Sequence, residues 1–159
     1  MKTQPLNAEL LDLLGKQTYV IVSSMDERGS IHNSCKGIVR AEPQGLVYLS
    51  DLYLRRTFEN LRRDPRISIT FADEHKFYGF CLKGTARLIR KEDADAQIIA
   101  EWERKLNARI SQRVVRDLQG EDSGKKHPEA HFPAPQYIIC VEVEEIVDLI
   151  PEHIKKHAG

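Results

Sequence analysis

The feature that most constrains the fold is a series of short apolar segments separated by tight turns across residues 19–90. Residues 19–23 are apolar and β-branched, and Asp26-Glu27-Arg28-Gly29 then makes a turn into a second strand at about 30–41. Glu42-Pro43-Gln44-Gly45 leads into a third strand at 46–50. Farther on, Ile67, Ile69 and Phe71 alternate with Arg66, Ser68 and Thr70, the pattern of a half-buried strand. A turn at 73–76 leads to a long strand at 78–90. Five strands joined by tight turns, with one short helix inserted, predict a meandering antiparallel sheet or barrel.

Three helices are expected around it. Residues 7–15 read as a short capped helix ended by Gly15, with Leu10, Leu11 and Leu14 lying against the sheet. After the third strand, Leu54, Phe58 and Leu61 recur at i, i+4 and i+7, with Ser50 or Asp51 as the expected cap and Pro65 as the stop. From 92 to 118 the period is helical again. Ile98, Trp102, Leu106, Ile110, Val114 and Leu118 form one stripe, widened by Ile99 and Val115. Glu92, Asp93 and Asp95 open this helix and Arg113 and Arg116 close it, as the macrodipole favours. Trp102, on that stripe, reads as core or subunit contact rather than as a ligand stacker. Residues 120–136 have no period and read as a loop; 137–150 form the last strand, ended by Pro151 before a polar tail. With no repeat and no linker, residues 1–159 are expected to form a single domain.

Composition narrows the function. Lys plus Arg and Asp plus Glu are 24 each, so no global field favours nucleic acid or a membrane surface. Cys35, Cys81 and Cys140 lie far apart in apolar, strand-like settings, which suits reduced, buried thiols in a cytoplasmic protein. No signal core or membrane-length apolar run is present. His127 and His131 are four apart, but the prolines around them oppose a helix that would align them, so no metal site is expected. G-x-S-x-G, GxGxxG and Walker A patterns are absent, and no catalytic acid, base or nucleophile can be named.

Charge placement is informative at the short helix. Arg62 and Arg63 fall in its last turn, where cations suit the dipole, but Arg55 and Arg56 fall at its start, where they do not. Free amides, two guanidiniums and the Thr57 hydroxyl together would suit a phosphate; the alternative is that both arginines point into solvent. The second strand is also unusual, because His32-Asn33-Ser34-Cys35-Lys36-Gly37 places hydrogen-bonding groups mid-strand. Alternation puts Asn33, Cys35 and Gly37 on one side and Ser34 and Lys36 on the other. Such a run can be a solvated face, or can border a planar polar ligand whose phosphate lies at Arg55 to Thr57.

At this point the chain resembles the pyridoxamine 5'-phosphate oxidase-like, FMN-binding split barrels. The resemblance rests on an ordered series: Asp26-Glu27-Arg28-Gly29, Gly45-Leu46-Val47-Tyr48-Leu49, Arg56-Thr57-x-x-Asn60-Leu61-Arg62-Arg63-Asp64-Pro65-Arg66, and Gly84-Thr85-Ala86. It implies a mainly β fold, a six-stranded antiparallel split β-barrel with a short helix after strand 3 and a long helix before the last strand. It also implies FMN, with Arg56 and Thr57 on the phosphate, Arg55 and Ser50 assisting, and Asn33, Ser34, Cys35 and Lys36 bordering the ring and ribityl chain. A homodimer with flavin at the subunit interface is the family's usual assembly.

Two departures matter. The pyridoxamine oxidases proper carry an Arg-x-x-x-x-Lys strand motif and a C-terminal segment rich in Arg and Trp, neither of which this chain has. Both argue against pyridoxamine phosphate oxidation itself. The leading expectation is therefore a cytoplasmic, homodimeric FMN-dependent oxidoreductase. The rivals are a flavin-sequestering protein without turnover and a haem- or F420-binding split barrel.

Overall fold

The computed structural model describes residues 2–120 and 132–157. Its strands are β1 (Tyr19–Met25), β2 (Ile31–Glu42), β3 (Leu46–Asp51), β4 (Arg66–Asp73), β5 (Tyr78–Arg90) and β6 (Tyr137–Asp148). All neighbours are antiparallel, and the sheet closes in the order β1-β2-β3-β6-β5-β4. The final strand therefore inserts between β3 and β5. The closing β1–β4 seam holds only from Ile21↔Thr70 to Ser23↔Ser68, the shortest pairing of the barrel. Val20, Val22, Val47, Leu49, Ile67, Ile69, Leu82, Ile139 and Val141 turn inward by strand alternation and fill the barrel.

The helices are α1 (Ala8–Gly15), α2 (Arg56–Arg63), α3 (Ala96–Leu118) and α4 (Glu152–Lys155). Asn7 caps α1, its side-chain oxygen accepting from the Leu10 amide at 2.8 Å, and Leu10 and Leu14 are buried. Ahead of it the chain is tied to the barrel end, with the Gln4 amide donating to Val143 and the Leu6 amide to Pro43. Gly45 makes this docking possible. Its φ of +94° is in the left-handed region, and a Cβ there would overlap the Gln4 carbonyl.

Several expectations need correction. Ser50 and Asp51 do not cap α2; they end β3, paired with Ile138 and Tyr137 of β6. The helix opens at Arg55 with no side-chain cap. Leu54 lies in the irregular connection before α2, so the buried face of that helix is Thr57, Phe58, Asn60 and Leu61. The long helix starts at Ala96, not 92, because a single 3₁₀ turn at Lys91–Asp93 precedes it and Asp95 caps it through the Gln97 amide. Its stripe is covered only at the first turns, where Ile98 is buried with Val39 and Ile138 outside the barrel. At the other end, Val114, Val115 and Leu118 are exposed. The tail contains α4, held by Lys155 against Asp148 at 3.0 Å.

All three cysteines are free and lie in strands, but Cys35 is exposed rather than buried. Within the expected loop, Gly120 is a turn residue and 132–136 is irregular, while 121–131, including His127 and His131, lies outside the described residues. No described helix is long and apolar enough to cross a membrane.

Candidate functional site

The site is built on β2 and the chain that crosses it. On the side of β2 that faces α2 and the barrel interior, alternation sets His32, Ser34, Lys36 and Ile38 in one row. Each polar member of that row has a different environment.

Lys36 is the most enclosed. Its Nζ is 2.8 Å from Asp51 Oδ2, and the two side chains are only 13% and 8% exposed. Asp51 also accepts a hydrogen bond at 2.5 Å from the hydroxyl of Tyr137, a fully buried residue. A buried cation and carboxylate are tolerable only when paired and further hydrogen-bonded, which this arrangement achieves. Burial and the bond to Asp51 push the Tyr137 phenol well above the ordinary tyrosine range.

Ser34 reaches α2. Its Oγ is 3.0 Å from Thr57 Oγ1, and Thr57 is buried. One hydroxyl must donate to the other, which leaves this pair one O–H proton to donate elsewhere. Around it lie the backbone amides of Arg56, Thr57 and Phe58, since the first intrahelical bond of α2 is from the Glu59 amide to the Arg55 carbonyl. Arg56 is exposed and, among the described residues, has no hydrogen-bonding or ion-pair partner. The arginines at the far end of the helix differ: Arg62 pairs with Glu59 at 2.9 Å and Arg63 donates to the Met25 carbonyl at 2.7 Å. Arg55 stacks over Tyr53, its guanidinium 4.9 Å from the ring centroid.

Beside β2 and β3 lies a cavity of about 600 Å³, within the range of small-molecule sites. Cys35, Lys36, Ser50 and Asp51 line it from the sheet, Tyr53 from the connection after β3, and Lys16 to Tyr19 from the α1–β1 connection. Trp102, Lys105 and Arg109 supply the α3 wall. Lys105 is exposed overall, yet partial burial of its ammonium holds its pKa below the usual lysine value. Among its described lining residues are the cations Lys16, Lys36, Lys105 and Arg109 and the carboxylate of Asp51, with Lys16 itself paired to Asp12 at 2.7 Å. A Cβ at Gly37 would come 2.9 Å from Ser50 Oγ, so a larger residue there would push that hydroxyl aside.

Of the eight residues singled out from sequence, six fall into two adjoining groups. Ser34, Arg56 and Thr57 cluster at the start of α2; Cys35, Lys36 and Ser50 line the cavity; and Arg55 lies between them against Tyr53. Asn33 joins neither group, because its side-chain oxygen accepts from Ser23 at 2.6 Å. Sequence reasoning missed Tyr137, which reaches Asp51 across 86 residues, and the α3 wall. The i, i+4 spacing of Lys105 and Arg109 was a legible sign of the latter. Among the described residues no group of three or more potential metal ligands comes together.

The family model for pyridoxamine 5'-phosphate oxidase matches residues 6–146, all of β1 to β5 and most of β6. The chain belongs to the pyridoxamine 5'-phosphate oxidase family. Solved structures agree on the fold. HupZ of Group A Streptococcus is 19% identical, with a TM-score of 0.62 over 91% of this chain and 94% of its own. A candidate pyridoxamine 5'-phosphate oxidase from Lactobacillus delbrueckii is 15% identical, with a TM-score of 0.58 over 92% and 99%. An F420 reductase is 12% identical, with a TM-score of 0.55 over 89% and 98%. No curated protein matches the sequence. As a family member, the chain has the split barrel anticipated from its motifs.

Proposed function

We propose that this protein binds FMN, with the phosphate at the first turn of α2 and the ring system in the adjoining cavity, and that it acts as a small flavin-dependent oxidoreductase. The observation that carries this reading is the first turn of α2. Three free amides, Arg56 and a hydroxyl pair with a proton to spare belong to this one turn, and among the described residues no acidic side chain pairs with Arg56. Strand rise places Lys36 about 7 Å from Ser34 along β2, so one ligand of flavin length reaches both the helix start and the cavity.

In this arrangement Arg56, Thr57 and Ser34 hold the phosphate, while Arg55 and Ser50 assist. Cys35 and Lys36 border the ring; Asn33 contributes through the strand rather than through its bonded side chain. The bound flavin would supply electron or hydride transfer, and the protein fixes its orientation and polarity. Lys36, held by Asp51 and Tyr137, presents a fixed cation at the cavity wall.

Tyr19, Tyr53 and Phe132 line the cavity and are exposed, as are Leu54 beside it and Val114, Val115 and Leu118 on α3. A second copy of the chain would cover them, making a homodimer with flavin at its interface. Free thiols in all three cysteines fit a cytoplasmic setting. The departures from the pyridoxamine oxidase motifs direct the reading away from pyridoxamine phosphate as substrate.

The test is spectroscopic. Titrated with the protein, FMN should change its visible spectrum and fluorescence and saturate at one per chain, and NAD(P)H with an electron acceptor should then turn over. Binding without turnover would reduce the protein to a flavin carrier. Saturable binding of F420 or haem in place of FMN would reject the cofactor assignment.

A further inference from the structure

The row of β2 that supplies Ser34 and Lys36 has a third polar member which the reading above does not use. His32 stands two residues before Ser34 on the same face and is half-buried. Among the described residues no side chain hydrogen-bonds its ring, so both nitrogens remain open to a partner. Its register neighbour on β1 is Ser24, whose hydroxyl is taken by Asn60 of α2 at 3.1 Å, so α2 covers this part of the row.

The charges facing His32 come from three elements. Burial weighs most against a proton on the ring, Arg56 of α2 and Lys36 of β2 repel it further, and Asp26 in the β1–β2 turn attracts one; together they hold its pKa below the usual histidine value. Asp26 is a weak counterweight, because its carboxylate already accepts from the Arg28 and Ser30 amides and feels Arg28 and Arg63. Lys36 is offset by Asp51. Arg56 is therefore the strongest charge acting on His32, second only to burial, and it is the cation an incoming anion would neutralise.

We propose that His32 is a further anion-binding residue of the α2 site, one whose ring takes up a proton when a phosphate monoester binds. The inference rests on the placement of the phosphate at α2. A dianion at Arg56 removes the repulsion and adds an attraction at the same place, so the imidazolium forms and donates to the ligand. The reverse linkage makes the site select a doubly charged phosphate end over an uncharged group, and bind it more tightly as pH falls from about 8 towards 7.

Calorimetric titration of FMN into the native protein at pH about 7.5, in two buffers of different ionisation heat, counts the protons exchanged. At this pH the phosphate, with a second pKa of about 6, is almost fully ionised and contributes little to the count. The native protein should take up a few tenths of a proton to about one per FMN, and none with riboflavin. His32→Gln should lose the uptake, keep riboflavin binding, and weaken FMN by about three- to tenfold. Normal FMN binding without proton uptake, or equal uptake by the variant, would overturn the role of His32 and leave the phosphate placement standing. FMN affinity insensitive to Arg56→Ala would remove the placement itself, and the inference with it.

Discussion

Replacing Tyr137 by Phe tests the buried chain that joins the barrel to the cavity wall. The phenol is fully buried and donates to Asp51, which in turn holds Lys36. Loss of a hydrogen bond to a charged group costs about 1.5–3 kcal/mol. For a chain of this size each kcal/mol lowers Tm by about 2–4 °C, so a fall of roughly 4–8 °C is expected for a 2 kcal/mol loss. A second signature is alkaline. Because the folded pKa of Tyr137 is raised, the fold keeps a proton that the unfolded chain gives up. That stabilisation is whole below the unfolded tyrosine value of about 10 and is lost only as pH rises from there towards the folded value. Within that window the native protein should lose about 1.4 kcal/mol per pH unit through this one group, and Tyr137→Phe should lack that component. Urea denaturation of both proteins at pH 7, 9, 10 and 11 gives the comparison, and the difference between them cancels the other titrating groups. Equal stability at pH 7 together with parallel alkaline limbs would mean that the phenol is not bound to Asp51.

Other outcomes follow from the packing. Gly45→Ala should cost about 1–3 kcal/mol, since it combines a left-handed φ with a Cβ in the path of the N-terminal segment; an unchanged urea midpoint would mean that segment is not docked. Ile98→Ala should lose about 2–4 kcal/mol from the cluster beneath α3, while Leu118→Ala should leave chain stability within about 0.5 kcal/mol. Sedimentation at micromolar concentration should give about twice the 18.3 kDa chain mass. A monomer that still binds flavin would reject the proposed interface.

Much of the architecture is legible because the barrel strands obey local rules. Ile67, Ile69 and Phe71 announce β4 by alternation alone, and they are buried as that pattern requires. Less local features were harder to read. Ser50 and Asp51 suit a helix cap by residue type, yet they pair with β6, a partner more than 80 residues away that no local signal identifies. The same distance hides Tyr137, whose sequence neighbourhood is that of an ordinary apolar strand. The stripe on α3 was plain, but periodicity does not say how much of a stripe is covered; only Ile98 is buried. The mismatch between arginine charge and helix polarity at the first turn of α2, which motivates the proposed phosphate site, is legible in the sequence. For Asn33, alternation assigns a face, but it does not show that the side-chain oxygen is taken by Ser23 across the strands.

The central claim is that the first turn of α2 holds a phosphate. Its most direct test is a paired titration of FMN and riboflavin against the native protein, Arg56→Ala and Arg62→Ala, followed by flavin fluorescence. Riboflavin has the same ring and ribityl chain without the phosphate. Arg62 pairs with Glu59 at the far end of the helix and serves as the control. The account predicts that Arg56→Ala weakens FMN by about ten- to a hundredfold, equivalent to one or two charged hydrogen bonds, and changes riboflavin much less. Arg62→Ala should leave both nearly unchanged, and added salt should weaken FMN more than riboflavin. If Arg56→Ala weakens the two flavins equally, the arginine supports the fold rather than the ligand, and the phosphate does not lie at α2.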